Sequence, residues 1–233
     1  MPTPRIITRL NNPSVEKGYS KTISTKGVAI ILAIMPAIAT YAVSFVDKIR
    51  ESELTYVNQQ IKQLYGPLYS LNVASSAAWA QFKRMHWPSG GRRYFFDPSH
   101  PPTVEQTDQW RNWMAMVFQP INIKIETVIV ENSQLVLGNE IPVVFKEAMT
   151  QTEAYRAVMA KWKDTDRLNV SAYTNAVGNT VTGLNYPEGI GECVRNGYLA
   201  LKKRQEELQN NVFSVFFSEK IKPDTSCLSS SQK

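Results

Sequence analysis

An uncharged run of twenty residues, 27–46, limits the architectures open to this chain more than any other segment. Its sequence is GVAIILAIMPAIATYAVSFV. As a helix, a run of this length rises about 30 Å, the thickness of the hydrocarbon core of a bilayer. Pro36 lies in its middle, but proline is tolerated in membrane-spanning helices, where it usually produces a kink. The run therefore predicts one membrane-spanning helix.

Two other interpretations of this run remain open. In a cleaved export signal, Ala37-Ile38-Ala39 would be the small-x-small cleavage site. Against this, the 26 preceding residues make a long leader, and the apolar run continues to Val46. In a soluble protein, the run would be a buried core helix.

Basic side chains are concentrated before the run. Residues 1–26 contain five Lys or Arg and one Glu, a net charge of +4, whereas residues 27–233 contain 21 basic and 19 acidic side chains, a net charge of +2. This distribution argues against a broad nucleic-acid-binding face. Residues 1–26 lack helical periodicity and contain three prolines, which predicts a flexible basic arm. By the positive-inside rule, the N-terminus is cytoplasmic and residues 47–233 lie outside. A mitochondrial presequence is a lesser alternative, because the first fifteen residues contain arginines and no acid.

The first soluble helix is predicted over about 47–85. Gly66-Pro67 interrupts it, because a proline removes one hydrogen bond and clashes with the preceding turn. The apolar stripe keeps its register across this point, so we expect one kinked helix. The spacing of three and four is that of a coiled coil or bundle seam. The stripe comprises Leu54, Val57, Ile61, Leu64, Leu68 and Leu71.

Three further helices show similar apolar spacing. They are predicted over about 103–131, 142–163 and 187–211. Thr103 and Gln106 stand in capping-box relation, and Pro120 is expected to bend this helix. The β-branched residues of 121–130 leave a strand as the alternative there. On the last helix, charged residues such as Arg204 are expected to face outward or to cap the end of the helix.

Four helices that each have one apolar face pack most simply as an up-down bundle. The predicted fold is therefore all-α, with an N-terminal transmembrane helix followed by an up-down four-helix bundle with a kinked first helix. The bundle domain spans 47–217. A disordered polar tail, 218–233, is expected to follow.

Two surface clusters are candidate sites. The proline- and glycine-rich loop after the first helix contains arginines beside aromatic rings, which suits an anionic or extended partner; the alternative is that these rings cap the end of the bundle. Its residues are Arg92, Arg93, Tyr94, Phe95 and Phe96. The second cluster follows the last helix, where the up-down topology directs it to the bilayer; the alternative is that it fills the core. Its residues are Val212, Phe213, Val215, Phe216 and Phe217.

No pattern of residues in the sequence predicts a catalytic, metal or cofactor site. Nucleophile elbows, phosphate-binding glycine loops and dinucleotide fingerprints are missing from the sequence. His86, Asp97 and His100 lack the spacing of metal ligands. Cys193 and Cys227 match no metal or redox motif, and we interpret them as two unpaired thiols, with a disulfide as the alternative. No catalytic residue, metal or cofactor is predicted.

Several short motifs together resemble a family of uncharacterised bacterial single-pass membrane proteins. The resemblance covers most of residues 27–210. It implies a bacterial inner-membrane protein with a helical domain, and it supplies no activity or catalytic residue. The motifs are Gln63-Leu64-Tyr65-Gly66-Pro67-Leu68, Gln119-Pro120-Ile121-Asn122, Ala154-Tyr155-Arg156 with Lys161-Trp162, and Tyr186-Pro187-Glu188-Gly189.

These observations predict a membrane-tethered helical interaction or scaffold module without catalytic activity. Its partners are the lipid bilayer and either another protein or a second copy, bound through helical faces such as the stripe of the first helix. No nucleic-acid partner is predicted. The alternative is an extracytoplasmic sensory or small-ligand-binding bundle that acts through a partner protein, and an enzyme of another type is a lesser one.

Overall fold

The computed structural model describes residues 25–86, 103–164, 187, 189–217 and 221–227. Within these ranges, side chains are described from Met35 onwards, apart from those at 37, 161, 163, 164 and 217. Every regular element in these ranges is a helix, which confirms the predicted all-α class. Apart from its last two residues, the predicted arm, 1–26, lies outside the described part of the chain.

The first long helix is continuous across its proline. It consists of α1 (Thr25–Gln59), a π-helical turn (Gln60–Tyr65) and α2 (Gly66–His86). In the turn, the backbone N–H of Gly66 donates to the carbonyl of Ile61, five residues earlier. A Cβ on Gly66 would lie 2.5 Å from that carbonyl oxygen, so the turn requires glycine. The expected interruption at Pro67 therefore takes the form of one wide turn, which accommodates a residue without an N–H.

The second long helix repeats this arrangement. It consists of α3 (Val104–Trp113), a π-helical turn (Met114–Phe118) and α4 (Gln119–Glu131). The N–H of Gln119 donates to the carbonyl of Met114, immediately before Pro120. Both bonds of the predicted capping box between Thr103 and Gln106 are present. The strand alternative for 121–130 is wrong, because these residues are helical.

The remaining elements complete the second unit. They are a 3₁₀ turn (Ser133–Leu135), α5 (Val143–Asp164), α6 (Ile190–Asn210), α7 (Ser214–Phe217) and a second 3₁₀ turn (Thr225–Cys227). α6 begins three residues later than expected, because Gly189 adopts a left-handed conformation with φ of 93°. A side chain there would also meet the carbonyl oxygen of Ser226, 2.9 Å from the Cβ position.

The chain divides into two compact units, Met1–Phe45 and Val46–Lys233. In the first unit, the large apolar side chains that are described are exposed along α1, at 54% to 75%. They are Met35, Ile38, Tyr41, Val43 and Phe45. Among the residues described, no helix combines the length and the apolar composition that a membrane crossing requires. The predicted span, 27–46, lies partly outside the described side chains.

The second unit contains a large core around Tyr65, which we call the Tyr65 core. The predicted stripe of the first helix faces it: Val57, Leu64 and Leu68 are almost fully buried. α6 runs antiparallel to this helix, since Glu53 contacts Arg204 and the Tyr65 ring further along lies against Gly197. The stripe thus packs against the core of its own chain.

A smaller core surrounds Phe82 and is called the Phe82 core. It lies where the ends of α2 and α5 meet α3 and the second π turn, and its buried members are Phe82, Met114, Phe118 and Tyr155. Four of the five tryptophans pack against it or line it: Trp79, Trp110, Trp113 and Trp162. The bundle therefore has an aliphatic part and an aromatic part.

The two cysteines form a disulfide, so the interpretation as unpaired thiols is wrong. Cys193 of α6 and Cys227 are joined across 34 residues of sequence, with both side chains buried. Residues 221–227, which the sequence assigned to a disordered tail, return along α6, and Pro223 comes within 2.8 Å of the position of a Cβ on Gly138. Spacing between cysteines carries no information about this return, which brings Cys227 to α6.

Candidate functional site

An exposed apolar stripe follows the outer face of the second long helix. Met116 is 77% exposed, Val130 59% and Ile123 36%. Pro120 and Thr127 between them are exposed as well. These five residues, called the outer stripe, are separated by four, three, four and three positions, which is the spacing of a helix–helix seam.

The outer stripe is additional to the face that α4 buries. Phe118, Ile125 and Ile129 on the opposite side are buried, with Ile129 fully inaccessible. A surface helix needs only one apolar face, and a second one is typical of a helix covered on both sides. Exposed apolar side chains grouped on one face of a helix are typical of a surface that another molecule covers.

Charged side chains border the outer stripe. Arg156 of α5 donates to Glu126 of α4 across 3.3 Å and is also paired with Glu153. Burial and the neighbouring Glu153 carboxyl raise the pKa of Glu126, and Arg156 opposes this rise. One guanidinium thus serves two carboxylates, so this edge of the stripe is net negative when both are ionised.

The Phe82 core is a packed aromatic cluster. The centroid of the Phe82 ring lies 5.5 Å from those of Trp79 and Trp113, and 5.6 Å from that of Trp110. The Trp113 indole N–H donates to Nε2 of His86 at 3.1 Å, which requires that this nitrogen carry no proton. Ring packing and this one hydrogen bond account for the position of the rings.

Cations lie against two rings at the edge of this core. Nζ of Lys83 is 5.8 Å from the centroid of Trp79, and Cζ of Arg111 is 5.6 Å from that of Trp162. His86, considered above as a metal ligand, is bonded to Trp113, while Asp97 and His100 lie outside the described residues. In the part of the chain that the structure describes, no three His, Cys, Asp or Glu side chains converge as a metal site.

Arg204 connects three elements at the opposite end of the second unit. Its side chain is only 6% exposed, so the expectation that it faces outward is wrong. Its Nη2 and Nε donate to the Glu53 carboxylate at 2.5 and 2.9 Å, and Nη1 donates to the carbonyl of Ser214 at 3.2 Å. Glu207 supplies a further oxygen at 3.4 Å. A buried guanidinium persists only when its donors are paired in this way.

The predicted aromatic cluster after α6 is divided by α7 into buried and exposed residues. Val215 packs against the Tyr65 core, and Val212 is half-buried. Phe213 and Phe216 are 60% and 54% exposed. The side chain of Phe217 is outside the described set. Core filling thus applies to part of this cluster and leaves the two phenylalanine rings on the surface.

The other predicted site lies outside the described residues. It comprises Arg92, Arg93, Tyr94, Phe95 and Phe96. The outer stripe, in contrast, was missed by sequence reasoning. Its 4-3-4-3 spacing is visible in the sequence, but the inner stripe of the same helix was sufficient to account for the apolar residues.

No known protein family, curated protein or solved structure matches this chain.

Proposed function

We propose that this protein is a membrane-tethered helical interaction module without catalytic activity, which presents the outer stripe to a helical partner. The exposure of Met116, Ile123 and Val130 at seam spacing is the observation that carries this proposal. A helix that laid its own apolar face on the stripe would bury these side chains as in a bundle interior. The negative edge at Glu126 and Glu153 favours a partner with basic residues beside its apolar face.

The tether in this proposal is the uncharged helix 27–46. Its support is the exposure of five large apolar side chains of α1 between Met35 and Phe45. Apolar surroundings would stabilise these side chains, and the basic residues before the helix favour a cytoplasmic N-terminus. The full architecture proposed is one membrane-spanning helix followed by an up-down four-helix bundle.

The disulfide supports an extracytoplasmic location for the bundle. Disulfides form and persist in oxidising compartments, such as the space outside the bacterial inner membrane. Cys193 and Cys227 are both bonded and buried, which is typical of a structural pair. The positive-inside rule, applied to residues 1–26, leads independently to the same side.

A sensory or ligand-binding bundle is the alternative, and one atom favours it. Gln119 is 4% exposed; its Nε2 donates to the carbonyl of Thr152 at 3.0 Å, while its Oε1 has no hydrogen-bond partner among the described residues. A buried acceptor of this kind can bind water or the donor of a small ligand. The outer stripe provides a larger surface, so the interaction role is the main proposal.

Site-specific photo-crosslinking in intact membranes tests the interaction role. A photoreactive amino acid is placed at Ile123 in the full-length chain, and in a matched control at Leu199, which is 50% exposed on α6. We expect a discrete crosslinked product from position 123 and none from position 199. Mass spectrometry identifies the product as another protein or as a second copy of this chain. Equal crosslinking at both positions, or none at either, would contradict the proposal.

A further inference from the structure

We propose that Phe213 and Phe216 insert into the interfacial layer of the bilayer. This inference rests on the proposed membrane tether and adds a second contact between the domain and the lipid. The occupant of this surface is the lipid headgroup and upper acyl region.

The two rings are held on the surface by their own turn. The N–H of Phe213 donates to Oδ1 of Asn211 at 2.9 Å, and the N–H of Ser214 donates to the Asn211 carbonyl at 3.1 Å. Ser214 and Val215 face the domain, so the aromatic rings before and after them face away from it. Residues 213–216 therefore expose both phenylalanine rings and bury the serine between them.

Arg204 fixes this turn to the first helix. It bonds the carbonyl of Ser214 and the carboxylate of Glu53 at the same time, from a position that is 6% exposed. Because a buried guanidinium loses much free energy when a partner is removed, α7 and α1 are held together at this point. The level of α7 along the domain is thus set by Glu53.

That level is close to the end of the proposed span. Glu53 follows Val46 by seven residues, which corresponds to about 10 Å of helix. α6 runs in the opposite direction, and the six residues from Arg204 to Asn210 carry the chain back by about 9 Å. Ser214 at the start of α7 returns to Arg204, so α7 lies near the level of Glu53, about 10 Å of helix from Val46. The interfacial layer on each side of a bilayer is about 5 to 8 Å thick, and aromatic side chains are enriched in it.

Spin labelling of the full-length chain in vesicles tests this placement. The two native cysteines are bonded to each other, so an added cysteine supplies the free thiol for a nitroxide. The test variants are Phe213→Cys and Phe216→Cys, and the control is Leu199→Cys, an exposed apolar position on α6. The vesicles contain phosphatidylethanolamine and phosphatidylglycerol, and flotation first establishes that the protein is bound to them.

The readout is the accessibility of each label to oxygen, which concentrates in lipid, and to a water-soluble nickel complex. We expect the oxygen-to-nickel ratio at 213 and 216 to be several-fold higher than at 199. If the protein floats but the ratios at 213 and 216 equal that at 199, the inference is overturned and the tether stands. Labels shielded from both reagents would show a protein contact and would also overturn it. Failure to float would overturn the tether together with the inference.

Discussion

The Tyr65 core and the Phe82 core are built by different means. In the Tyr65 core, a ring is held by close contacts: its hydroxyl oxygen accepts the N–H of Leu137 at 3.0 Å, and its edge lies where Gly197 has no side chain. α6 and a disulfide complete this part. The Phe82 core instead assembles large rings at ordinary stacking and edge distances. The comparison indicates that the Tyr65 core depends on exact fit and cross-linking, whereas the Phe82 core depends on buried aromatic area.

Loss of aromatic area should be most costly in the Phe82 core. Phe82→Ala removes a fully buried ring that contacts several others, and we expect a loss of about 3 to 5 kcal/mol in the free energy of unfolding. The measurement is urea unfolding of the full-length chain in mild detergent, followed by tryptophan fluorescence. Leu199→Ala, at an exposed site, is the control. A loss below about 1 kcal/mol would show that this core is loosely packed.

Removal of the disulfide should weaken the Tyr65 core by nearly as much. Cys193→Ser with Cys227→Ser opens a loop of 34 residues, for which chain entropy predicts a loss of about 3 to 4 kcal/mol. Circular dichroism records the whole helical content, and tryptophan fluorescence records mainly the Phe82 core. If the two cores unfold as one unit, both transitions shift together; a shift in circular dichroism alone would show that they unfold separately.

The close fit of Tyr65 can be tested by adding one methyl group. A Cβ on Gly197 would lie 2.4 Å from Cε1 of the Tyr65 ring, which is buried and cannot easily move. We expect Gly197→Ala to reduce the free energy of unfolding by about 1 to 3 kcal/mol. Gly191→Ala in the same helix is the control, because the nearest atom there is 3.9 Å away. Equal stability of the two variants would contradict the account of this core.

Alkaline pH should reduce the free energy of unfolding, because each core contains one buried tyrosine that resists losing its proton. Burial raises the pKa of Tyr65 and of Tyr155 to about 12, against about 10 for an exposed tyrosine. The unfolded chain therefore loses these protons first. The stability that they provide is complete below about pH 10 and is lost as the pH rises to about 12, by at most about 3 kcal/mol per residue.

Phenylalanine variants separate the two tyrosines. The free energy of unfolding falls between neutral and alkaline pH, and each tyrosine causes part of that fall. Tyr65→Phe and Tyr155→Phe should each abolish the part that the replaced tyrosine causes. At neutral pH, Tyr65→Phe should also cost about 1 to 3 kcal/mol, because it deprives the buried N–H of Leu137 of its acceptor. The check is urea unfolding of both variants at neutral pH and near about pH 11. An unchanged alkaline loss in both variants would assign it to other groups.

Sequence patterns were sufficient for the helices and insufficient for several contacts between them. The capping box at Thr103 and the stripe from Leu54 to Leu71 were predictable, because both depend on residues that are close in sequence. The prolines indicated interruptions, but the π turns also depend on packing that keeps the helix continuous on both sides.

The missed features depend on residues that are distant in sequence. Arg204 looks like a surface residue until Glu53, 151 positions away, is placed beside it. The disulfide depends on the return of residues 221–227 to α6. The outer stripe was concealed because α4 carries two apolar faces, and periodicity alone does not show which of them the fold buries.

The mass of the assembly in lipid tests the central proposal, a membrane-tethered interaction module, most directly. The full-length chain is extracted into lipid nanodiscs without denaturation, and the mass of its assembly is measured for the wild type, Ile123→Asp and Leu199→Asp. Both substitutions place a charge at an exposed apolar position, so neither should unfold the domain. We predict that Ile123→Asp reduces the assembly to the isolated chain and that Leu199→Asp retains the wild-type mass. A wild-type chain that is already isolated, or an Ile123→Asp variant of unchanged mass, would contradict the account.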